Sequence, residues 1–242
     1  SLKRGVIAGL PTETVYGLAG NAYSEKAIKK IYKLKNRPKK NPLIVHYLNL
    51  KDAEKDVIFS KNFLKLYRIF CPGPITFVLK KKIKSKISSL ATANLSTVAI
   101  RFPNHKITKS ILKLINFPLA MPSANVSTRV SPVNARDVFD EFGKKIKIII
   151  DGGNSKIGIE STVIDLTNKP KILRPGIISK HSIQKVLKIK LLDGATSKKI
   201  VSPGMMKKHY YPGMPVLINQ RRYDGKSAFI YLGQKYKKRK NF

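Results

Sequence analysis

An α/β fold is predicted by two observations. Short apolar runs of strand length alternate along the chain with segments whose apolar residues recur at helical spacing, and 42% of residues are hydrophobic, enough to build a core. Taken in order, residues 6–10 read as a strand ended by Pro11. Ser24 caps a helix carrying Ala27, Ile28, Ile31, Tyr32 and Leu34 at helical spacing. Residues 43–48 read as a buried strand, 63–70 as a helix, and 75–79 and 98–102 as further strands. Residues 106–115 (KITKSILKLI) form an amphipathic helix before a strand at 119–121. Asn134 caps a helix through Phe142 that Gly143 ends, and residues 146–151 form a strand closed by Gly152-Gly153. Strands at 161–166 and 171–173 and a helix at 182–187 complete this body. From 191 to 215 the chain turns loop-like, and 216–242 holds at most two strands and a basic tail, too few elements for a core of their own.

Composition removes several classes. Lys and Arg number 49 against 13 Asp and Glu, a formal net charge of +36. The apolar content excludes a disordered polycation, and no apolar run approaches the ~20 residues of a spanning helix, so no membrane segment is expected. One cysteine, Cys71, forbids an internal disulfide, and four scattered histidines show no metal-ligand spacing, so no metal site is expected. Residues 1–20 lack the order of a secretory signal, and a cytoplasmic protein is expected. The charge attracts polyanions. Yet only 10 of the 49 basic residues are Arg, and the abundance of Lys, Ile and Asn matches AT-rich codon usage, which makes much of the charge a solvated surface. Nucleotide motifs fail: Gly225-Lys226-Ser227 lacks its first glycine, position 220 being Gln, and no G-x-G-x-x-G or G-x-S-x-G occurs.

Five constellations could carry chemistry. Pro11-Thr12-Glu13-Thr14-Val15-Tyr16-Gly17-Leu18 follows a buried strand, where open α/β sheets hold ligands, though it also suits a plain turn. Lys35-Asn36-Arg37-Pro38 with Asn41 runs into the strand ending near His46 and offers two cations for phosphates, or else a solvated loop. In Thr97-Val98-Ala99-Ile100-Arg101-Phe102, one Arg interrupts an apolar strand and needs a carboxylate, from a substrate or from the protein. Ser123, Asn125 and Ser131, and Glu160-Ser161-Thr162 followed by Arg174-Pro175-Gly176, put small hydrogen-bonding groups at strand ends, suited to phosphate or carboxylate oxygens or equally to capping a helix or a turn. No Ser/His/Asp set is present, so catalysis would come from positioning and charge stabilisation.

In this order, P-T-E-T-V-Y-G-L, K-x-R-P-x-x-N-P-L-I-V-H, P-G-P-I-T-F-V-L, A-I-R-F-P, P-S-A-N and E-S-T-V-I-D with R-P-G resemble the YrdC-like family of threonylcarbamoyl-AMP synthases over about residues 5–180. The resemblance implies a twisted mixed sheet with flanking helices around a large basic concave site. It implies a catalytic domain at 1–190, a linker or lid at 191–215 and a remnant of a Rossmann-like C-terminal domain at 216–242. It implies L-threonine, bicarbonate and ATP with Mg²⁺ as substrates, diphosphate as a product, and a transferase complex that passes the threonylcarbamoyl group to tRNA. By position, Thr14, His46, Arg101 and Ser161 would surround L-threonine. Lys35, Arg37, Asn41, Thr97, Ser123, Asn125, Ser131, Arg174 and the linker residue Tyr210 would face ATP, with Lys35 and Arg37 as the catalytic pair. The alternative from another class is a module that binds double-stranded RNA or tRNA by shape and phosphate contact without catalysis; even in the enzyme, the charge leads us to expect weak RNA binding.

Overall fold

The computed structural model describes residues 1–193 together with Val216 and Leu217. Its elements are β1 (Ala8–Leu10), β2 (Gly17–Asn21), α1 (Glu25–Leu34), β3 (Ile44–His46), α2 (Leu50–Ala53), α3 (Lys61–Phe70), β4 (Ile75–Lys80) and β5 (Thr97–Arg101). Then follow α4 (Lys106–Leu114), β6 (Leu119–Ala120), α5 (Ala135–Phe142), β7 (Thr162–Asp165), β8 (Lys171–Arg174), α6 (Lys180–Leu187) and β9 (Leu192–Asp193). Helices start where a Ser or Asn side chain accepts an orphan amide: Ser24 from Ala27, Ser60 from Phe63, Asn134 from Asp137 and Ser179 from Ser182.

The strands form one mixed sheet in the order β1-β2-β6-β3-β5-β4-β7-β8-β9. β3 runs parallel to β5, and β4 parallel to β7, while β4 and β5 are antiparallel. The central strands are buried on both faces, which is why they read as apolar runs and not as alternation. One face carries the main core. Val45, Phe77, Ile100 and Ile164 meet Ile28 and Ile31 of α1, Phe63 of α3, Val138 of α5 and Ile183 of α6 there. Phe63 stands edge-on to Phe77 with ring centroids 5.0 Å apart. The other face carries a small apolar cluster of Ile44, Val78, Ala99 and Val163.

Several sequence expectations need correction. Residues 146–151 form no strand: Gly9 makes a single parallel bridge with Ile149, its amide donating to Ile148 O and its carbonyl accepting from Ile150. β1 is three residues long and ends at Pro11, so its outer edge offers room for only that bridge. β2 was legible only as the end of a loop, because Gly17 and Gly20 read as turn residues. Both glycines serve close approach instead. A Cβ on Gly20 would lie 3.1 Å from Ile31 Cδ1 and 3.3 Å from Ala27 Cβ, so α1 lies directly on this strand. The four-residue α2 was also missed. Residues 192–193 pair parallel with β8, where a loop was expected. The rest of the expected linker and the remnant at 216–242, apart from Val216 and Leu217, lie outside the described residues. Among the described residues, no helix is long and apolar enough to cross a membrane.

Candidate active site

Strand register assembles the floor of the site. β3 and β5 pair His46 with Arg101, and β5 and β4 pair Arg101 with Thr76. Paired residues share a face, so His46, Arg101 and Thr76 form a polar row beyond the cluster of Ile44, Val78 and Ala99. A cleft of about 740 Å³, counting the space open to solvent, opens over the His46 and Arg101 part of this row. Thr14 enters it from the segment before β2, Lys35, Arg37 and Asn41 from the end of α1 and the loop after it, and Ser123 and Asn125 from the loop after β6. Ser161 and Arg174 enter it beside β7 and β8. Thr97 stands at the opposite end of β5, paired with Lys80, and does not line the cleft. Ser131 lies one contact behind the lining, donating to Glu160 at 3.0 Å. Tyr210 lies outside the described residues.

The two cations expected to meet phosphate are built by one helix end. Asn36 takes a left-handed φ of 48°, which ends α1 and lets the Arg37 amide donate back to Tyr32 O at 3.0 Å. Lys35 and Arg37 thus flank the turn. Lys35 is 1% exposed. Its Nζ donates to Ser123 O at 2.5 Å and to Asn125 O, and no carboxylate among the described residues is its bonding partner. Burial, helped by Arg37, pushes its pKa down to about 7, with Glu160 and Glu141 pulling the other way. Arg37 donates to Asn41 O at 2.9 Å, Asn41 Oδ1 at 2.7 Å and Pro42 O at 2.8 Å, so its charge is held fixed by its own loop.

Around the row, Thr12 Oγ1 lies 2.9 Å from Thr14 Oγ1 and donates to Val15 O at 2.6 Å, which locks the segment carrying Thr14. His46 Nδ1 lies 3.3 Å from Ile44 O, and burial followed by the nearby Arg101 charge drops its pKa to about 3. His46 is therefore neutral and a poor proton acceptor near neutral pH. Arg101 Nη2 donates to Glu13 Oε1 at 2.7 Å, which answers the open question of its partner: a protein carboxylate is already there. Arg174 pairs with Glu160 at 2.7 Å, and Ser161 Oγ lies 2.7 Å from Thr76 Oγ1.

Sequence reasoning missed the segment 127–129, whose three residues line the cleft. Thr128 holds a φ of +81°, a conformation that β-branched residues avoid, and Arg129 pairs with Glu141 at 3.3 Å. No local pattern marks it. Arg101 Nε, Asn125 Oδ1 and Ser127 Oγ are buried without a hydrogen-bond partner among the described residues, and all three residues line the cleft. Buried polar atoms are nearly always partnered, so these are groups for a polar ligand to satisfy. The arrangement offers fixed cations and hydrogen-bond donors, with no thiol: Cys71, pushed up to about 12 by burial, lies outside the lining.

A family model described as telomere recombination, Sua5_yciO_yrdC, matches residues 1–176, and one described as threonylcarbamoyl-AMP synthase, C-terminal domain, matches 178–241. The chain is 40% identical over 226 residues to the threonylcarbamoyl-AMP synthase of Pyrococcus abyssi, covering 90% of this chain and 65% of that one. It is 40% identical over 222 residues to the threonylcarbamoyl-AMP synthase of Bacillus subtilis, covering 90% and 64%. The chain thus spans a little under two thirds of the length of both relatives. The crystal structure of P. abyssi Sua5 complexed with L-threonine matches with a TM-score of 0.83 at 40% identity, covering 87% of this chain and 63% of that chain. E. coli YciO, at 21% identity and a TM-score of 0.65 over 73% of this chain and 85% of that chain, shares the fold. With its first 176 residues matched as one unit and five of its six ordered motifs supplying residues to the cleft lining, the chain belongs to the Sua5/YciO/YrdC family.

Proposed function

We propose that this protein makes threonylcarbamoyl-AMP from L-threonine, bicarbonate and ATP and releases diphosphate, acting in the cytoplasm as a nucleotidyltransferase. The observation that carries this reading is that one cleft is lined both by the cations Lys35 and Arg37 and by Thr14, His46 and Arg101. The 40% identical relatives that bear the synthase name, and the P. abyssi Sua5 complex with L-threonine, support it.

In this reading the threonine carboxylate meets the N–H groups of Arg101 that Glu13 leaves free, and Thr14 hydrogen-bonds the amine or carbamate. The amine attacks the bicarbonate carbon to give a carbamate with loss of water, and a carbamate oxygen attacks the α-phosphorus in line while diphosphate departs. Lys35 and Arg37 stabilise the charge that develops on the phosphate oxygens. Ser123, Asn125, Ser127 and Arg174 orient the nucleotide, Asn125 Oδ1 accepting and Ser127 Oγ accepting or donating where the described residues leave them open. No side-chain nucleophile takes part, so rate enhancement is positioning and electrostatics. A Mg²⁺ bound with the triphosphate would neutralise phosphate charge and would be held mainly by phosphate oxygens, because Glu160 in the cleft lining and Glu13 beside Arg101 are each engaged by an arginine. A transferase complex then carries the threonylcarbamoyl group to tRNA, with weak RNA contact through the basic surface.

The test is diphosphate release from ATP by the full chain. It should require L-threonine and bicarbonate together. Release independent of threonine, or binding of RNA with a steep salt dependence and no response to threonine, would overturn the reading.

A further inference from the structure

Two of the arginines that line the cleft, Arg174 and Arg101, are held in different ways. Arg174 donates to Glu160 Oε2 at 2.7 Å, and also to the Ser161 carbonyl oxygen at 3.0 and 2.9 Å and to Ser161 Oγ at 3.1 Å. Arg101 has one acceptor for its guanidinium among the described residues, Glu13 Oε1 at 2.7 Å, and its Nε is buried with no partner. The Arg101 and Glu13 side chains are 5% and 9% exposed, so their attraction is little screened. Glu13 is itself anchored. Its Oε2 accepts the Asn104 amide at 3.0 Å, and its carbonyl oxygen accepts the Ile157 amide at 3.0 Å. A carboxylate fixed at both oxygens therefore supplies the single tether of an arginine on the cleft floor.

We propose that Glu13 is a positioning residue for the amino-acid substrate, fixing the Arg101 guanidinium so that its remaining N–H groups meet the substrate carboxylate. This rests on the reading of the Arg101 end of the cleft given above. Two effects of Glu13 oppose each other. Its negative charge repels a carboxylate, while its bond prevents Arg101 from turning away to solvent or collapsing onto another acceptor. If neutralisation were its only role, removing the charge would tighten amino-acid binding; if positioning dominates, removal weakens it. The sign of the change separates the two.

Glu13→Gln keeps the size of the side chain and one acceptor oxygen but removes the charge-assisted bond. Calorimetric titration of the full chain with L-threonine, in the presence of a non-hydrolysable ATP analogue, is expected to show the threonine Kd rising about tenfold in Glu13→Gln. The Kd of the ATP analogue should stay within about twofold of wild type, which shows the fold intact. Arg101→Lys should also weaken threonine binding, and adding Glu13→Gln to it should cost little more, because the tethered group is already gone. An unchanged or lower threonine Kd in Glu13→Gln overturns the inference. So does an equal loss of threonine and nucleotide binding, which marks a role in folding alone, or full additivity in the double variant. A wild-type chain that binds no threonine overturns the reading of the site and the inference with it.

Discussion

Lys35 Nζ lies 2.5 Å from the Ser123 carbonyl oxygen, so the lysine at the end of α1 is moored to the loop after β6 by peptide carbonyls and, among the described residues, by no carboxylate. An ammonium group in that setting is bonded only to peptide dipoles, with the charges of Glu160 and Glu141 acting from further off, and its protonation answers to whatever anion arrives.

This sets the pH dependence of both stability and binding. The Lys35 pKa falls from 10.5 to about 7 on folding. Between those values the unfolded chain binds a proton that the folded chain does not, so this group makes stability rise with pH across that window. Urea midpoints measured from pH 7 to 9.5 should rise more in wild type than in Lys35→Met. Phosphate oxygens favour the ammonium form, so triphosphate binding at pH 8 should take up a proton. Titration in buffers of different ionisation enthalpy should show that uptake in wild type and lose it in Lys35→Met.

Arg37 places its bonds on Asn41 and Pro42, which couples a charge lining the cleft to a loop. Arg37→Ala and Lys35→Ala should each lose ~2–4 kcal/mol of transition-state stabilisation, read as kcat/KM for diphosphate release. Arg37→Lys should recover little of it, because one ammonium cannot span Asn41 O, Asn41 Oδ1 and Pro42 O together. Near-wild-type turnover in Arg37→Ala would remove it from the catalytic pair.

Gly176 has no room for a side chain. A Cβ there would sit 2.4 Å from the Thr162 amide nitrogen and 2.8 Å from Glu160 O, backbone atoms that cannot step aside. Gly176→Ala should therefore destabilise the fold by about 3 kcal/mol in urea unfolding and disturb the neighbouring Glu160–Arg174 pair. Gly153→Ala, at a φ of +75° with open space around it, should cost only the backbone strain of about 1 kcal/mol.

Asp56 anchors a polar network outside the cleft lining. Its carboxylate accepts from the Tyr23 hydroxyl at 2.7 Å, the Tyr47 hydroxyl at 2.9 Å, Ser85 Oγ at 2.6 Å and the Lys86 amide at 3.1 Å. Asp56→Ala orphans four donors and should lower stability by roughly 3–5 kcal/mol in urea unfolding. Threonine affinity, measured well below the midpoint, should stay at its wild-type value.

Much of the fold was legible because its signals are local. Ser24 and Asn134 cap the helices they were expected to cap, and the apolar runs at β3, β4 and β5 are strands buried on both faces. What escaped depends on distant neighbours. Gly17 and Gly20 look like turn residues until α1 and Met121 are seen to press on them. The run at 146–151 has strand composition but meets an edge too short to pair with it. At the site, residue types and order pointed to the motifs whose residues converge on the cleft. The Glu13–Arg101 tether and the strained Thr128 segment required coordinates, since each joins parts of the chain that no spacing relates.

The contact between Gly20 and Ile31 reaches further than local packing. Because helix and strand touch there almost atom on atom, the height at which α1 rides fixes where its final lysine emerges. Bulk added at Gly20 would lift the helix like a shim and shift Lys35 relative to Ser123, altering the chemistry from a position that never meets a substrate.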